Sequence, residues 1–263
     1  TKYDQFVTLE ILTGVEEDFA AIVEARNTSM QVSEAALAEL RKDTNLIKET
    51  VAGLPFENNI AYKENEEKDV DVREVVALLS MFNLSLWGED EQPTVCYSGK
   101  AATLSQYLHN KGSFRRVKPL ARGIFGLYDH IKKTMPELYR GKEQGRRGRL
   151  GGRKEIGGKP SPLYFSFTQH ELATKEKRVM TRHDIPTGFT YPILGAMRAL
   201  VEYDEENDVY YWDCRDGDPI AFYDKYVGRT LVNDTLDRSM ELGQNPSAVG
   251  KNRSLWKNLY TAV

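Results

Sequence analysis

The run from Gly141 to Pro160 holds seven glycines and seven basic side chains, with Leu150 and Ile156 as its large aliphatics. Such a stretch buries too little apolar surface to offset the chain entropy of ordering it, so it reads as a mobile loop. It divides the 263 residues into an N-terminal part of helices and strands (1–140), the basic glycine-rich loop (141–160) and a C-terminal α+β part (161–263). The two outer parts either fold separately or pack as one domain. The predicted class is α+β, mainly α-helical with a few short strands and a long basic Gly/Arg-rich loop.

Hydrophobic periodicity supplies the elements on either side. Tyr3–Leu12 alternates as a strand does. Glu16–Arg26 and Ser33–Arg41 carry apolar residues at helical spacing, Ser33 standing where an N-cap belongs. A short helix is expected over Asn45–Ala52 and a short strand over Asn59–Tyr62, followed by an acidic connector, Lys63–Asp71. From Val72 to Leu84 the chain is too continuously apolar for a surface helix, so a buried one is predicted. Further helices are expected at Thr103–Leu108 and at Ile124–Tyr139, where Pro136 should kink the helix or end it early. Beyond the loop, the pattern predicts a strand at Leu163–Phe167, a helix at Tyr191–Glu202, a strand at Val209–Trp212, and closing helices at Ala221–Glu241 and Ser247–Thr261.

The formal net charge of −3 conceals a strong asymmetry. Between Lys100 and Pro160 stand sixteen Lys/Arg and four acids, a local +12. Taken from totals of 36 basic and 39 acidic side chains, this leaves 20 and 35 for the rest of the chain, a net −15. A positive field so concentrated is the footprint of polyanion binding. Arginine presents a planar fork that matches phosphate, and neighbouring glycines let the backbone adapt, as in segments that bind single-stranded nucleic acid. The nucleic-acid-binding candidates are therefore Arg115, Arg116, Lys118, Arg122, Arg146, Arg147, Arg149, Arg153 and Lys154. The competing reading of the loop is a solvated segment whose charge only maintains solubility. Tyr164, Phe165 and Phe167, directly after the loop, either stack on unpaired bases or fill a half-buried strand.

A second motif, Asn27-Thr28-Ser29-Met30-Gln31-Val32, lies between two expected helices. Its small polar residues either close one helix and cap the next, or present the amides of Asn27 and Gln31 to a base edge or a partner. The remaining chemistry is sparse. His109, His130, His170 and His183 are scattered, and Cys96 and Cys214 sit in no ligand spacing, so neither a metal site nor any other cofactor is expected. Asp213, Asp216 and Asp218 around Gly217 read as a turn rather than a calcium loop. Asp18 with Glu24-Ala25-Arg26 has nuclease-like spacing on an expected helix rather than a strand, and Gly250-Lys251-Asn252 lacks the rest of a P-loop. No catalytic set can be assembled. Two cysteines, no long uncharged apolar run and no signal-like start predict a cytoplasmic protein without a membrane span, and the start at Thr1 reads as a processed chain or a piece of a longer one.

Four stretches in this order along the chain resemble the AIPR (abortive-infection phage-resistance) family. They are Ala25–Val32; Asn65-Glu66 with Asp71–Leu79; Tyr191–Arg198; and Asn245–Lys251 followed by Trp256 and Tyr260. The resemblance implies phage defence, an association with restriction-modification genes, and an upstream region similar to restriction-endonuclease folds with an Asn-Gly-x-Gln-Thr stretch. This chain holds neither of those last two, so no nuclease role passes to any of its residues. The Asn27, Thr28, Ser29 and Gln31 motif does carry over. Two of the stretches, Val72–Leu84 and Tyr191–Glu202, are core elements by their pattern and so read as scaffold.

Three functions follow from these readings. The first is a nucleic-acid-binding module that grips DNA or RNA phosphates with the basic block. The second is an assembly module, in which the block meets an acidic partner of a defence complex or another copy of the chain. The third is one part of a metal-dependent nuclease whose catalytic region lies outside the chain.

Overall fold

Asp71 accepts a hydrogen bond from Arg73 N at 2.7 Å, and this side-chain cap starts helix α2, Val72–Phe82. Every residue of α2 except Arg73 and Glu74 is buried, as its unbroken apolar run requires. The structure is a computed structural model. It describes residues 42–139 and 185–263 apart from 64, 65, 69, 89, 90, 216 and 244, together with Ala35, Ala38 and the pairs 155–156 and 159–160.

Upstream of α2 lie α1, Asn45–Val51, and two short strands, β1 (Ile60–Ala61) and β2 (Val70–Asp71), paired in parallel. The expected strand at Asn59–Tyr62 is thus shorter than its pattern, because Glu57–Asn59 winds as a 3-10 turn. Downstream come α3 (Val95–Ser98), α4 (Lys100–His109), a 3-10 helix from Lys111 to Leu120, and α5, Ala121–Leu138. Ile124, Leu127, Tyr128, Ile131 and Met135 form the buried stripe of α5. Pro136 does not end this helix early, which runs on to Leu138. So near the C-terminus, its missing N–H removes one backbone bond, and Tyr139 N still closes onto Met135 O at 3.1 Å. Within the glycine-rich run, β3 (Glu155–Ile156) pairs antiparallel with β4 (Lys159–Pro160).

Past residue 185 the centre of the fold is α6, Thr187–Ala196, whose residues from Gly188 onward are all buried. It packs against α3, α5 and three later helices: α8 (Gly228–Glu241), α9 (Pro246–Gly250) and α10 (Arg253–Ala262). The expected helix at Tyr191–Glu202 is corrected at both ends. The helix begins at Thr187, yields to a 3-10 turn at Met197–Leu200, and gives way to strand β5, Val201–Asp204. Pairing decides this, since β5 and β6 (Val209–Trp212) form an antiparallel hairpin with Val201 opposite Trp212. The Ala221–Glu241 helix is also divided, into α7 (Pro219–Phe222), capped by Asp218, a π-helical turn (Tyr223–Val227) and α8. A Cβ at Gly228 would lie 2.9 Å from Tyr223 O, so the turn needs a glycine there. Ser247–Thr261 is likewise two helices, α9 and α10, with Asn252 capping the second through Leu255 N at 3.0 Å.

One hydrophobic cluster takes in residues on both sides of the glycine-rich run, from Ala35 through Ile124 and Tyr191 to Leu259. The strand expected at Tyr3–Leu12, the helix at Glu16–Arg26, most of the one at Ser33–Arg41 and the strand at Leu163–Phe167 lie outside the described residues.

Candidate nucleic-acid interface

The 3-10 helix between Lys111 and Leu120 turns every three residues, which places Phe114, Val117 and Leu120 on one buried line. The next line along its surface carries Arg115 and Lys118, and Arg122, four residues on, continues it onto the first turn of α5. All three are exposed, and none makes an ion pair among the described residues. The apolar line thus holds a ridge of three cations on a rigid base. At its Arg115 end lies a cleft of about 320 Å³ lined by Lys42, Asp43, Asn45, Glu49, Lys111 and Arg115.

Other cations of the basic block are already engaged. Arg116 Nε lies 2.6 Å from Asp208 Oδ1, and its guanidinium carbon is 5.6 Å from the centre of the Tyr203 ring. Tyr203 donates its hydroxyl to the same oxygen at 2.5 Å. The Tyr203 hydrogen bond foremost, with Arg116 added to it, holds the Asp208 carboxyl below its usual value against the opposing effect of desolvation. Arg116 therefore ties the β5–β6 hairpin to the 3-10 helix, whereas the sequence pattern grouped it with the phosphate-binding residues. Lys111 pairs with Asp43 at 2.5 Å and Lys100 with Glu74 at 3.4 Å, while Lys132 lies over the Tyr128 ring at 4.0 Å. The loop residues Arg146, Arg147, Arg149, Arg153 and Lys154 lie outside the described residues. So do Asn27, Thr28, Ser29 and Gln31, and Tyr164, Phe165 and Phe167.

A polar cluster that the sequence pattern did not assemble surrounds Glu74. Tyr128 donates its hydroxyl to Glu74 Oε1 at 2.6 Å, Lys100 approaches the other oxygen, and the Tyr191 ring lies 6.0 Å from Tyr128 and 5.5 Å from Tyr97. Burial, reinforced by the Glu74 charge, pushes the Tyr128 and Tyr191 hydroxyls well above their usual range, so both stay protonated. Glu74 and Tyr191 belong to two of the four stretches singled out in the sequence. The only signal for their meeting was a lone acid in the first turn of an apolar helix.

The weaker candidates take structural places. His109 contacts Ser105 O at 2.7 Å and His130 contacts Asp224 Oδ1 at 2.7 Å, while His170 and His183 lie outside the described residues. Asp218 caps α7 and Asn252 caps α10. Cys96 is buried, which pushes its thiol up. The described residues include no group of three or more His, Cys, Asp or Glu able to hold a metal ion, and no helix long and apolar enough to cross a membrane.

The family described as AIPR protein matches residues 2–226. The chain belongs to the AIPR family. This membership associates it with anti-phage defence of the abortive-infection kind. The AIPR match takes in Ala25–Val32, Asp71–Leu79 and Tyr191–Arg198, whereas Asn245–Lys251 lies beyond its end. No curated protein and no solved structure matches the chain.

Proposed function

We propose that this AIPR protein acts in the cytoplasm as a nucleic-acid-binding module of phage defence, gripping DNA or RNA phosphates with its basic block. The observation that carries the reading is the ridge of Arg115, Lys118 and Arg122, three exposed cations without partners among the described residues, on a helix fixed by Phe114, Val117 and Leu120. Phosphate contacts of this kind give affinity without sequence preference and make binding steeply salt-dependent. Changing the three together to Ala is expected to weaken binding of a labelled DNA or RNA oligonucleotide. The slope of log K against log salt should fall by about three, one for each phosphate released. An unchanged slope removes the ridge from the interface.

The Arg116 tie gives a prediction of opposite sign. Asp208→Asn releases the guanidinium 2.6 Å away, so nucleic-acid affinity should rise and the salt slope steepen by about one. Fluorescence anisotropy at several salt concentrations reads both. An affinity equal to wild type means that Arg116 stays turned away from the ligand.

The same contact favours assembly as a second reading. The acidic hairpin holds a guanidinium between the Asp208 carboxylate and the Tyr203 ring, a mode that an arginine-bearing partner in a defence complex, or a second copy, can repeat. Light scattering with and without an oligonucleotide separates the two, since salt-sensitive oligomers that ignore nucleic acid belong to assembly alone.

A further inference from the structure

Arg198 ends the Tyr191–Arg198 stretch, on the 3-10 turn after α6, and is only 6% exposed. Its Nε and Nη1 are buried and have no hydrogen-bond partner among the described residues. Three titratable groups bear on its charge. The Tyr260 ring centre lies 5.8 Å from the guanidinium carbon, the Cys96 thiol is fully buried, and Glu91 is half-exposed and already 3.9 Å from Arg253. Burial pulls the Arg198 pKa down from its usual value and pushes that of Cys96 up, so the thiol supplies no negative charge. Gln92, next to Glu91, is 7% exposed, and its Oε1 accepts from no group among the described residues.

A guanidinium held this deep with two unpartnered nitrogens is among the more costly arrangements a fold can contain, and it is relieved in part when an anion meets one of its edges. Either edge of the guanidinium, Nε with Nη2 or Nη1 with Nη2, matches the spacing of two oxygens of a phosphate or a comparable oxyanion, so each edge brings one of the two unused nitrogens to such an ion. We propose that Arg198 is the base of a binding site for a compact oxyanion of the phosphate class, with the exposed Arg253, which reaches the same Glu91, as a second cation nearby. This site lies on other elements than the Arg115–Arg122 ridge and stands whether or not that ridge binds nucleic acid. A residue enclosed to this degree excludes a polynucleotide backbone.

The test is thermal unfolding of the whole chain with inorganic phosphate titrated against chloride at constant ionic strength. At tenfold excess over the dissociation constant, the midpoint is expected to have risen by about 4 °C and to go on rising with the logarithm of the phosphate concentration. Arg198→Met should abolish the rise, and the Arg115, Lys118 and Arg122 to Ala variant should retain it. Adenosine 5′-monophosphate matching inorganic phosphate assigns a phosphate monoester, and a response to inorganic phosphate alone assigns the free ion. No rise at constant ionic strength, an equal rise with adenosine, or an undiminished rise in Arg198→Met overturns the site. Should Arg198→Met not fold, Cys96→Asp gives a second readout. A carboxylate at position 96, near enough for its charge to act on Arg198, competes with the anion, so the phosphate response should vanish, and a full response in that variant also overturns the proposal.

Discussion

Gly188→Ala is expected to destabilise the protein by about 3 kcal/mol, the upper range for an overpacked core. For a chain of this size that lowers the unfolding midpoint by roughly 6 to 12 °C. In a helix interior alanine is favoured over glycine by about 1 kcal/mol, so the sign depends on what the new methyl group meets. At Gly188 it meets the backbone of Pro246, its O and its C at 2.7 Å, and beyond them the side-chain hydroxyl of Tyr97 at 3.0 Å. The Pro246 backbone cannot swing aside, and relief requires α9 to move off α6. Gly126 is the control. A Cβ there lies 3.1 Å from Ile220 Cδ1, the free end of a flexible side chain, so Gly126→Ala should be neutral or mildly stabilising. Denaturant titration of both variants checks the pair, and a Gly188→Ala protein as stable as wild type refutes the close approach of α6 to α9.

The same approach explains what the family-like stretches do together. Tyr191, on α6, lies between the Glu74 cluster on one side and Tyr97 on the other, and a Cβ at Gly250 would press on the Tyr97 ring at 2.5 Å. A Cβ at Gly195 would lie 2.7 Å from Trp256 Cε3. Residues from Asp71–Leu79, Tyr191–Arg198 and Asn245–Lys251 thus converge on one buried helix. Their shared task is to let helices approach through glycine. Arg198 departs from this scaffold role, because it is a buried cation two of whose nitrogens have no partner among the described residues.

Elements whose signal is local were legible in the sequence. The buried run of α2, the stripe of α5 and strand β6 all follow from spacing and flanking residues. Elements set by distant pairing were not. Val201–Asp204 continues an apolar helical pattern and becomes strand only because Val209–Trp212 lies beside it. The three-residue period of Phe114, Val117 and Leu120 was present, but ten residues is long for a 3-10 helix, so no ordinary helical template finds it. For the site, summation along the chain exposed the pooled positive charge. Which cations remain available is a tertiary matter. Arg116 is engaged by Asp208, 92 positions away, and Lys100 by Glu74, whereas Arg115, Lys118 and Arg122 have no such partner among the described residues.

Changing Arg115, Lys118, Arg122, Arg146, Arg147, Arg149 and Arg153 together to alanine should have the largest effect on binding. If each neutralises one phosphate, the wild-type slope of log K against log salt is about −6 on duplex DNA and about −5 on a single strand. Raising salt from about 50 to about 200 mM should then weaken wild-type binding to duplex by roughly three to four orders of magnitude. The variant should bind weakly at the lower salt and respond little to the higher. The rest of the molecule sharpens this expectation, since the seven changes lower the block from +12 to +5 against a body of net −15 that repels a polyanion. A variant that binds at low salt with the wild-type slope is incompatible with the basic block as the grip. A slope reduced by three in the ridge variant, and by the full amount in this one, divides the contacts between a rigid ridge and the glycine-rich run. Comparing duplex with single-stranded DNA and RNA at matched salt then tells whether the ligand is recognised by charge density alone, in which case affinity follows the slopes above. A single strand bound more tightly than its shallower slope allows requires stacking on aromatic side chains, for which Tyr164, Phe165 and Phe167 are the residues to change first.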